Sequence, residues 1–266
     1  MANDKKAGFS RDSISNTLLV AIGVSLVCSV LVSAAAIVLR PLQEKNQNAF
    51  RQRVVLEVAG LYEPEADIEA LFNEIEAHLV DLETGGYVED LDVQTFDARA
   101  ATNDPKLSVT IPREFDIAGL RRRAIYAPVY IVKKGDAIEQ IILPVHGKGL
   151  WSTMYGYLSV EADGNTVRGL QFFEHAETPG LGDQIDKSNW LEQWQGQLLF
   201  DDAGNTRIEV VRGQVQPGPD EIYQIDGLSG ATLTGNGVTY LIQYWIGPHG
   251  FGPYLETISN GANGDG

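Results

Sequence analysis

The residue types best suited to chemistry in this chain sit together at Asp226-Gly227-Leu228-Ser229-Gly230-Ala231-Thr232. Gly227 and Gly230 lack a Cβ, so the backbone can turn sharply there and admit a close ligand. Ser229 and Thr232 add hydroxyls to that turn. The apolar run Val238–Ile246 follows, long enough for two to three helical turns. A helix start carries unpaired N–H groups and a partial positive charge, which stabilise a phosphate. The segment therefore reads as a phosphate seat with a threonine hydroxyl at its edge. Hydrolase chemistry at Ser229 is disfavoured, because the Gly-x-Ser-x-Gly spacing of a nucleophile elbow is missing and only four histidines exist as partner bases. No Gly-x-Gly-x-x-Gly follows a strand, which argues against NADH binding by this chain.

Two other loops could converge on the same ligand. In His146-Gly147-Lys148-Gly149-Leu150-Trp151, the glycines allow close backbone approach while Leu150 and Trp151 offer an apolar wall for an aromatic ring. The competing reading is a hairpin with a buried tryptophan. In His175-Ala176-Glu177-Thr178-Pro179-Gly180-Leu181-Gly182, Pro179 and Gly180 make a turn, Leu181 projects, and Gly182 keeps the backbone accessible. His175 with Glu177 is a weak metal or acid–base signal, since no third ligand is in view.

These blocks resemble a known family. Asp226-x-x-Ser229-Gly230-Ala231-Thr232 is similar to the flavinylation motif of the FMN-binding domains in the sodium-translocating NADH:quinone reductase and the related Rnf complexes. The stretches Leu233-Thr234-Gly235-Asn236-Gly237-Val238 and Trp245–Pro253 resemble the NqrC family of the sodium pump more than its Rnf counterpart. The resemblance implies FMN held through a phosphoester on Thr232. It also implies that the Gly149-Leu150-Trp151 region, Thr178 and Leu181 contact the flavin ring. A threonine hydroxyl is a poor nucleophile unless activated, so attachment calls for a separate flavin transferase; the resemblance implies one that uses FAD and Mg²⁺ and releases AMP. Thr234 is the rival acceptor, with helix N-capping as its structural alternative.

By the same resemblance, the chain is an electron carrier within a six-subunit NADH:ubiquinone reductase that exports sodium. It relays electrons between an iron–sulfur centre and the FMN of a neighbouring subunit. No side chain here need be catalytic. Two alternatives stay open: an Rnf-type flavoprotein exchanging electrons with ferredoxin-linked partners, and a membrane-anchored module that binds flavin without a covalent bond.

The elements that must position these loops come next. The net charge of −16 argues against nucleic acid, which needs basic patches. The single cysteine, Cys28, excludes an internal disulfide. Thr17–Leu39 is uncharged and exceeds the roughly 20 residues that cross a bilayer core. A signal peptide is the competing reading, but its core runs only about 7–15 residues; a single uncleaved span is expected. Lys5, Lys6 and Arg11 before it balance Arg40, Lys45, Arg51 and Arg53 after it, so charge does not orient the span. The resemblance places the soluble domain in the periplasm, anchored in the inner membrane of a bacterium.

Along the chain, residues 1–16 are a cytoplasmic lead, 17–39 the span, 40–125 a stalk and a helical part, 126–258 the FMN-binding domain and 259–266 a loose tail. Ile68, Leu71, Phe72, Ile75, Leu79 and Leu82 recur at helical spacing, predicting a helix that ends near Gly85-Gly86. Strands are expected at 128–132, 138–143, 154–160, 167–173 and 207–211, with short helices near 188–194 and 238–246. Tight turns between several strands favour antiparallel pairing. The fold class is α+β: one transmembrane helix, then a curved antiparallel sheet with flanking helices.

Overall fold

The structure, a computed structural model, describes residues 13–262, with side chains through residue 259. The basic residues Lys5, Lys6 and Arg11, most of the 1–16 lead and the end of the tail lie outside the described residues. Two compact units divide at Phe50/Arg51.

The first unit is the leading part of helix α1 (Ile14–Ala59). Its best 18-residue window has a mean hydropathy of 2.6 and none of it is buried, so the helix is long and apolar enough to cross a membrane. Pro41, at the end of the apolar run, lies inside the helix, and Arg40 Nε pairs with Glu44 Oε1 one turn on at 2.8 Å.

The second unit begins with the last turns of α1. Then come α2 (Ile68–Phe72), β1 (Glu76–Asp81), β2 (Tyr87–Val88), α3 (Ala98–Ala101), β3 (Ser108–Thr110) and β4 (Arg122–Ala124). The main strands follow: β5 (Tyr126–Lys134), β6 (Ala137–Lys148), β7 (Thr153–Glu161) and β8 (Val167–Glu174). α4 (Ser188–Leu191), β9 (Glu209–Val210), β10 (Gln224–Ile225), α5 (Thr232–Ile246) and α6 (Gly252–Ala262) complete the chain. Six strands form one antiparallel sheet in the order β2-β1-β5-β6-β7-β8. Register shifts leave Glu139 of β6 and Arg168 and Phe173 of β8 as extra residues, bulges that bend the sheet.

Side chains alternate across this sheet, and both faces are covered. Ile141, Leu143 and Val145 of β6 join the main core with Val238, Leu241, Ile242 and Trp245 of α5. Ile142 points the other way, into a smaller core with Val54, Val55, Leu56 and Ala59 of α1. Gly60, at φ 71°, ends α1, and Leu61 N–H reaches back to Leu56 O at 2.9 Å. The buried Gln140 side chain donates to the Ala59 carbonyl at 2.8 Å and accepts from Ser159 Oγ at 2.8 Å.

The long strands arise where expected, but four readings change. The helix expected over 68–82 breaks after α2: Ile68, Leu71 and Phe72 pack on the α1 end, while Glu76–Asp81 pairs residue by residue with β5. Apolar residues at 75 and 79 suit both a helical and a strand face, and the open edge of β5 decides between them. Gly85-Gly86 is the β1–β2 turn. Thus 40–125, expected to be stalk and helical, supplies two strands of the sheet. The expected strand at 207–211 shrinks to β9, which pairs parallel with β10. α5 begins six residues earlier than its apolar run, at Thr232, and the described part of the 259–266 tail continues α6.

Candidate functional site

Three glycine-rich segments meet where α5 begins. Strand β6 runs through His146-Gly147-Lys148, paired with Tyr155, Met154 and Thr153, so only Gly149–Ser152 remains as the turn to β7. Helix α5 crosses this strand end at very short range. A Cβ on Gly237 would lie 2.6 Å from Lys148 O, and one on Gly147 would lie 2.5 Å from Leu241 Cβ. The glycines in both segments therefore set how closely the start of α5 approaches the turn.

Glu177 ties the three segments together. Only 4% exposed, its carboxylate accepts from the N–H groups of Leu150 at 3.2 Å, Trp151 at 3.0 Å and Ser152 at 3.2 Å. It also accepts from the hydroxyl of Thr234, in the first turn of α5, at 2.6 Å. Burial works to raise the Glu177 pKa. The hydrogen bonds from Thr234, Trp151, Ser152 and Leu150 outweigh it and hold the carboxyl below its ordinary value. Gly182 packs against this bond: a Cβ there would sit 2.9 Å from both Glu177 Cβ and Thr234 Oγ1.

The flanking groups hold the same frame. His175 Nε2 lies 2.6 Å from Asp186 Oδ2, and its Nδ1 accepts the Glu177 N–H at 3.2 Å. The Asp186 carboxylate raises the His175 pKa against the opposing effect of burial. His146, at the root of the turn, stacks on Tyr155 and packs at a tilt against Trp245. Burial, with a smaller contribution from Arg99, lowers its pKa to about 4. It is thus a neutral packing residue and no base near pH 7.

What the frame presents outward is apolar. Trp151 is 69% exposed, Leu150 44% and Leu181 43%. The Leu181 side chain reaches Gly230, whose missing Cβ would lie 2.9 Å from Leu181 Cδ2. Gly180 and Gly230 have φ of 77° and 74°, values that favour glycine. Thr232 is exposed as the first residue of α5, whose start has no side-chain cap; Ala231 is buried behind it. Unpaired first-turn N–H groups and an accessible hydroxyl thus belong to the same helix start. The arrangement fits a ligand with an aromatic ring over Leu150, Trp151 and Leu181 and a phosphate at the helix start.

Comparisons with known proteins agree. A family model described as FMN-binding domain matches residues 149–247. The chain is 45% identical over 253 residues to the C subunit of Na(+)-translocating NADH-quinone reductase from Vibrio alginolyticus, covering 95% of this chain and 98% of that one. The Neisseria meningitidis serogroup A protein of the same name is 45% identical over 254 residues, covering 95% and 97%. The chain belongs to the NqrC family, the C subunits of Na(+)-translocating NADH-quinone reductase. The crystal structure of Shewanella oneidensis NqrC superposes with a TM-score of 0.73 at 37% identity, covering 79% of this chain and 96% of that one. The crystal structure of the corresponding protein from Parabacteroides distasonis gives 0.63 at 29% identity, covering 82% and 96%.

Of the residues singled out from sequence, Gly149, Leu150, Trp151, Thr178, Gly180, Leu181, Gly182, Ser229, Gly230, Ala231 and Thr232 lie on the three converging segments. Thr178 works through its carbonyl, which accepts from Leu181 N–H at 3.1 Å and Asp183 N–H at 3.3 Å. Asp226 is a brace behind them. Its Oδ1 accepts from Val215 N–H at 2.7 Å, its carbonyl from Trp190 Nε1 at 2.8 Å, and its N–H donates to Gln193 Oε1 at 3.1 Å. Thr234 is not a cap: it is buried and spent on Glu177. Sequence reasoning weighed Glu177 only beside His175 and missed its bridging role. An acid in a glycine-rich loop with no lysine or arginine close to it in sequence was the available signal.

Proposed function

We propose that this chain is the covalent-FMN electron-transfer subunit of a Na⁺-translocating NADH:quinone oxidoreductase. Thr232 carries FMN through a phosphoester; bound FMN supplies the one- and two-electron chemistry that no side chain here can perform. A flavin transferase installs it from FAD with Mg²⁺ and releases AMP. The observation that carries this reading is the contrast between the two threonines: Thr232 is exposed at an uncapped helix start, and Thr234 is buried against Glu177. The names of its relatives support the wider assignment.

In that assignment α1 anchors the chain in the bacterial inner membrane, with the second unit in the periplasm. The chain works within a six-subunit complex, passing electrons between an iron–sulfur centre and the FMN of a neighbouring subunit, on the way from NADH to ubiquinone. Sodium export belongs to the whole assembly. This chain's residues bind, orient and shield: Leu150, Trp151, Thr178 and Leu181 border the ring, and the start of α5 faces the phosphate. Mass spectrometry of a tryptic digest of protein from its own organism tests the linkage. One peptide containing Thr232 should be heavier by an esterified FMN, and Thr232→Ala should lack it. Release of all the yellow pigment on acid precipitation would refute a covalent bond.

A further inference from the structure

Thr232 and Asn236 of α5 line a narrow cleft with Gly227, Leu228 and the facing stretch 210–213. The cleft encloses about 10 Å³, roughly the room of one water-sized group, enough for a phosphoryl oxygen and far too small for a flavin ring. Arg212 is the only ionisable residue in its lining. Its backbone is pinned there: Gly227 N–H donates to Gly213 O at 2.6 Å, and a Cβ on Gly227 would collide with Val211 O. Its side chain is exposed and, among the described residues, has no ion-pair partner. Arg207, five positions earlier, is by contrast tied to both Asp201 and Asp220.

A free guanidinium in this place has a use. The chain carries a net charge of −16, which repels an incoming anion such as FAD. The start of α5 offers only about half a unit of positive charge. Arginine adds a full charge and a planar fork of donors that matches two phosphate oxygens. We infer that Arg212 clamps the phosphate of the flavin esterified at Thr232, both while the ester forms and afterwards. This rests on the function proposed above. In the transfer, Thr232 Oγ bonds to the flavin-side phosphorus of FAD. The pyrophosphate P–O bond breaks with its electron pair leaving on AMP, and the hydroxyl proton is released to solvent. Arg212 neutralises the non-bridging oxygens and exchanges no proton.

The test uses the full chain in detergent, prepared without flavin and then loaded by a purified flavin transferase from FAD and Mg²⁺. Arg212→Gln should load about tenfold more slowly, on the scale of one lost charge-assisted contact, and Arg212→Lys should recover most of the rate. The gain in melting temperature on loading should also shrink in Arg212→Gln, a readout that does not involve the transferase. Melting of the unloaded variants should match the parent, because among the described residues the side chain has no hydrogen-bond or ion-pair partner. Equal loss in both variants, no loss in either, or slow loading with an unchanged melting gain would each overturn the clamp. Thr232→Ala serves as the separate control: flavin retained there would sink the proposed function itself, whatever Arg212 does.

Discussion

Replacing Glu177 by Gln probes the site at its centre, and the expected cost follows from the geometry. Oε1 accepts from Trp151 and Ser152, and Oε2 from Leu150 and Thr234. A glutamine is least frustrated with its oxygen at Oε1, because an NH₂ there would face two backbone N–H groups, while at Oε2 it meets one and the Thr234 hydroxyl, which can rotate to accept. The new NH₂ then faces the Leu150 N–H, and the remaining bonds lose their charge. One lost charged hydrogen bond in a buried setting amounts to about 2 kcal/mol. Glu177→Ala also strands the hydroxyl of the buried Thr234, for about 4 kcal/mol, although the amides beside the exposed Trp151 can rehydrate. Denaturant unfolding of the flavin-free full chain, followed by tryptophan fluorescence, measures both. The pH dependence supplies the sign. The folded-state pKa of Glu177 lies below its ordinary 4.5, so its stabilisation is complete above about pH 4.5 and fades as pH falls through the folded value. The gap between parent and Glu177→Gln should therefore close on acidification. A gap under about 0.5 kcal/mol near pH 7, or one that persists in acid, would refute the bridging role.

Other perturbations separate the remaining contributions. Thr234→Val should still take up flavin on Thr232 but lose about 1–2 kcal/mol of stability, read by the same unfolding assay; loss of flavin with intact folding would show Thr234 to be the acceptor. Gly237→Ala should cost about 1–3 kcal/mol and impair flavin loading, because its Cβ would meet Lys148 O at 2.6 Å. The His175–Asp186 contact contributes stability present below the ordinary His value of 6.5 and lost as pH rises through the raised folded value. Asp186→Asn should remove that slope at a cost of about 1 kcal/mol or less, since Asp186 is 40% exposed.

What was legible in the sequence divides along physical lines. Strands β5 to β8 declare themselves because each supplies its own alternation and turn. The chemistry-bearing segments were also visible, since Gly149, Gly182 and Gly230 mark close approach wherever the chain folds. β1 was misread because residues 75–82 satisfy two periods, and only pairing with β5 picks one. The start of α5 was misplaced because Thr232–Gly237 holds no apolar face to reveal a helix. Its first turn is held by Glu177, distant in sequence, and its second packs through Gly237 against Lys148. The assignment of Thr234 as a cap failed for the same reason: its partner lies 57 residues away.

At this site the usual division between inside and outside is inverted. A carboxylate and a threonine hydroxyl are buried, while a tryptophan and two leucines face outward. Each half of the inversion needs the other. Exposed Leu150 and Trp151 sit on a turn that would wander without fixed backbone donors, and Glu177 fixes those donors only because its charge is shielded from water by the same turn. A flat aromatic ligand would cover the exposed leucines and tryptophan, so the surface that Glu177 makes rigid is the one such a ligand would bury.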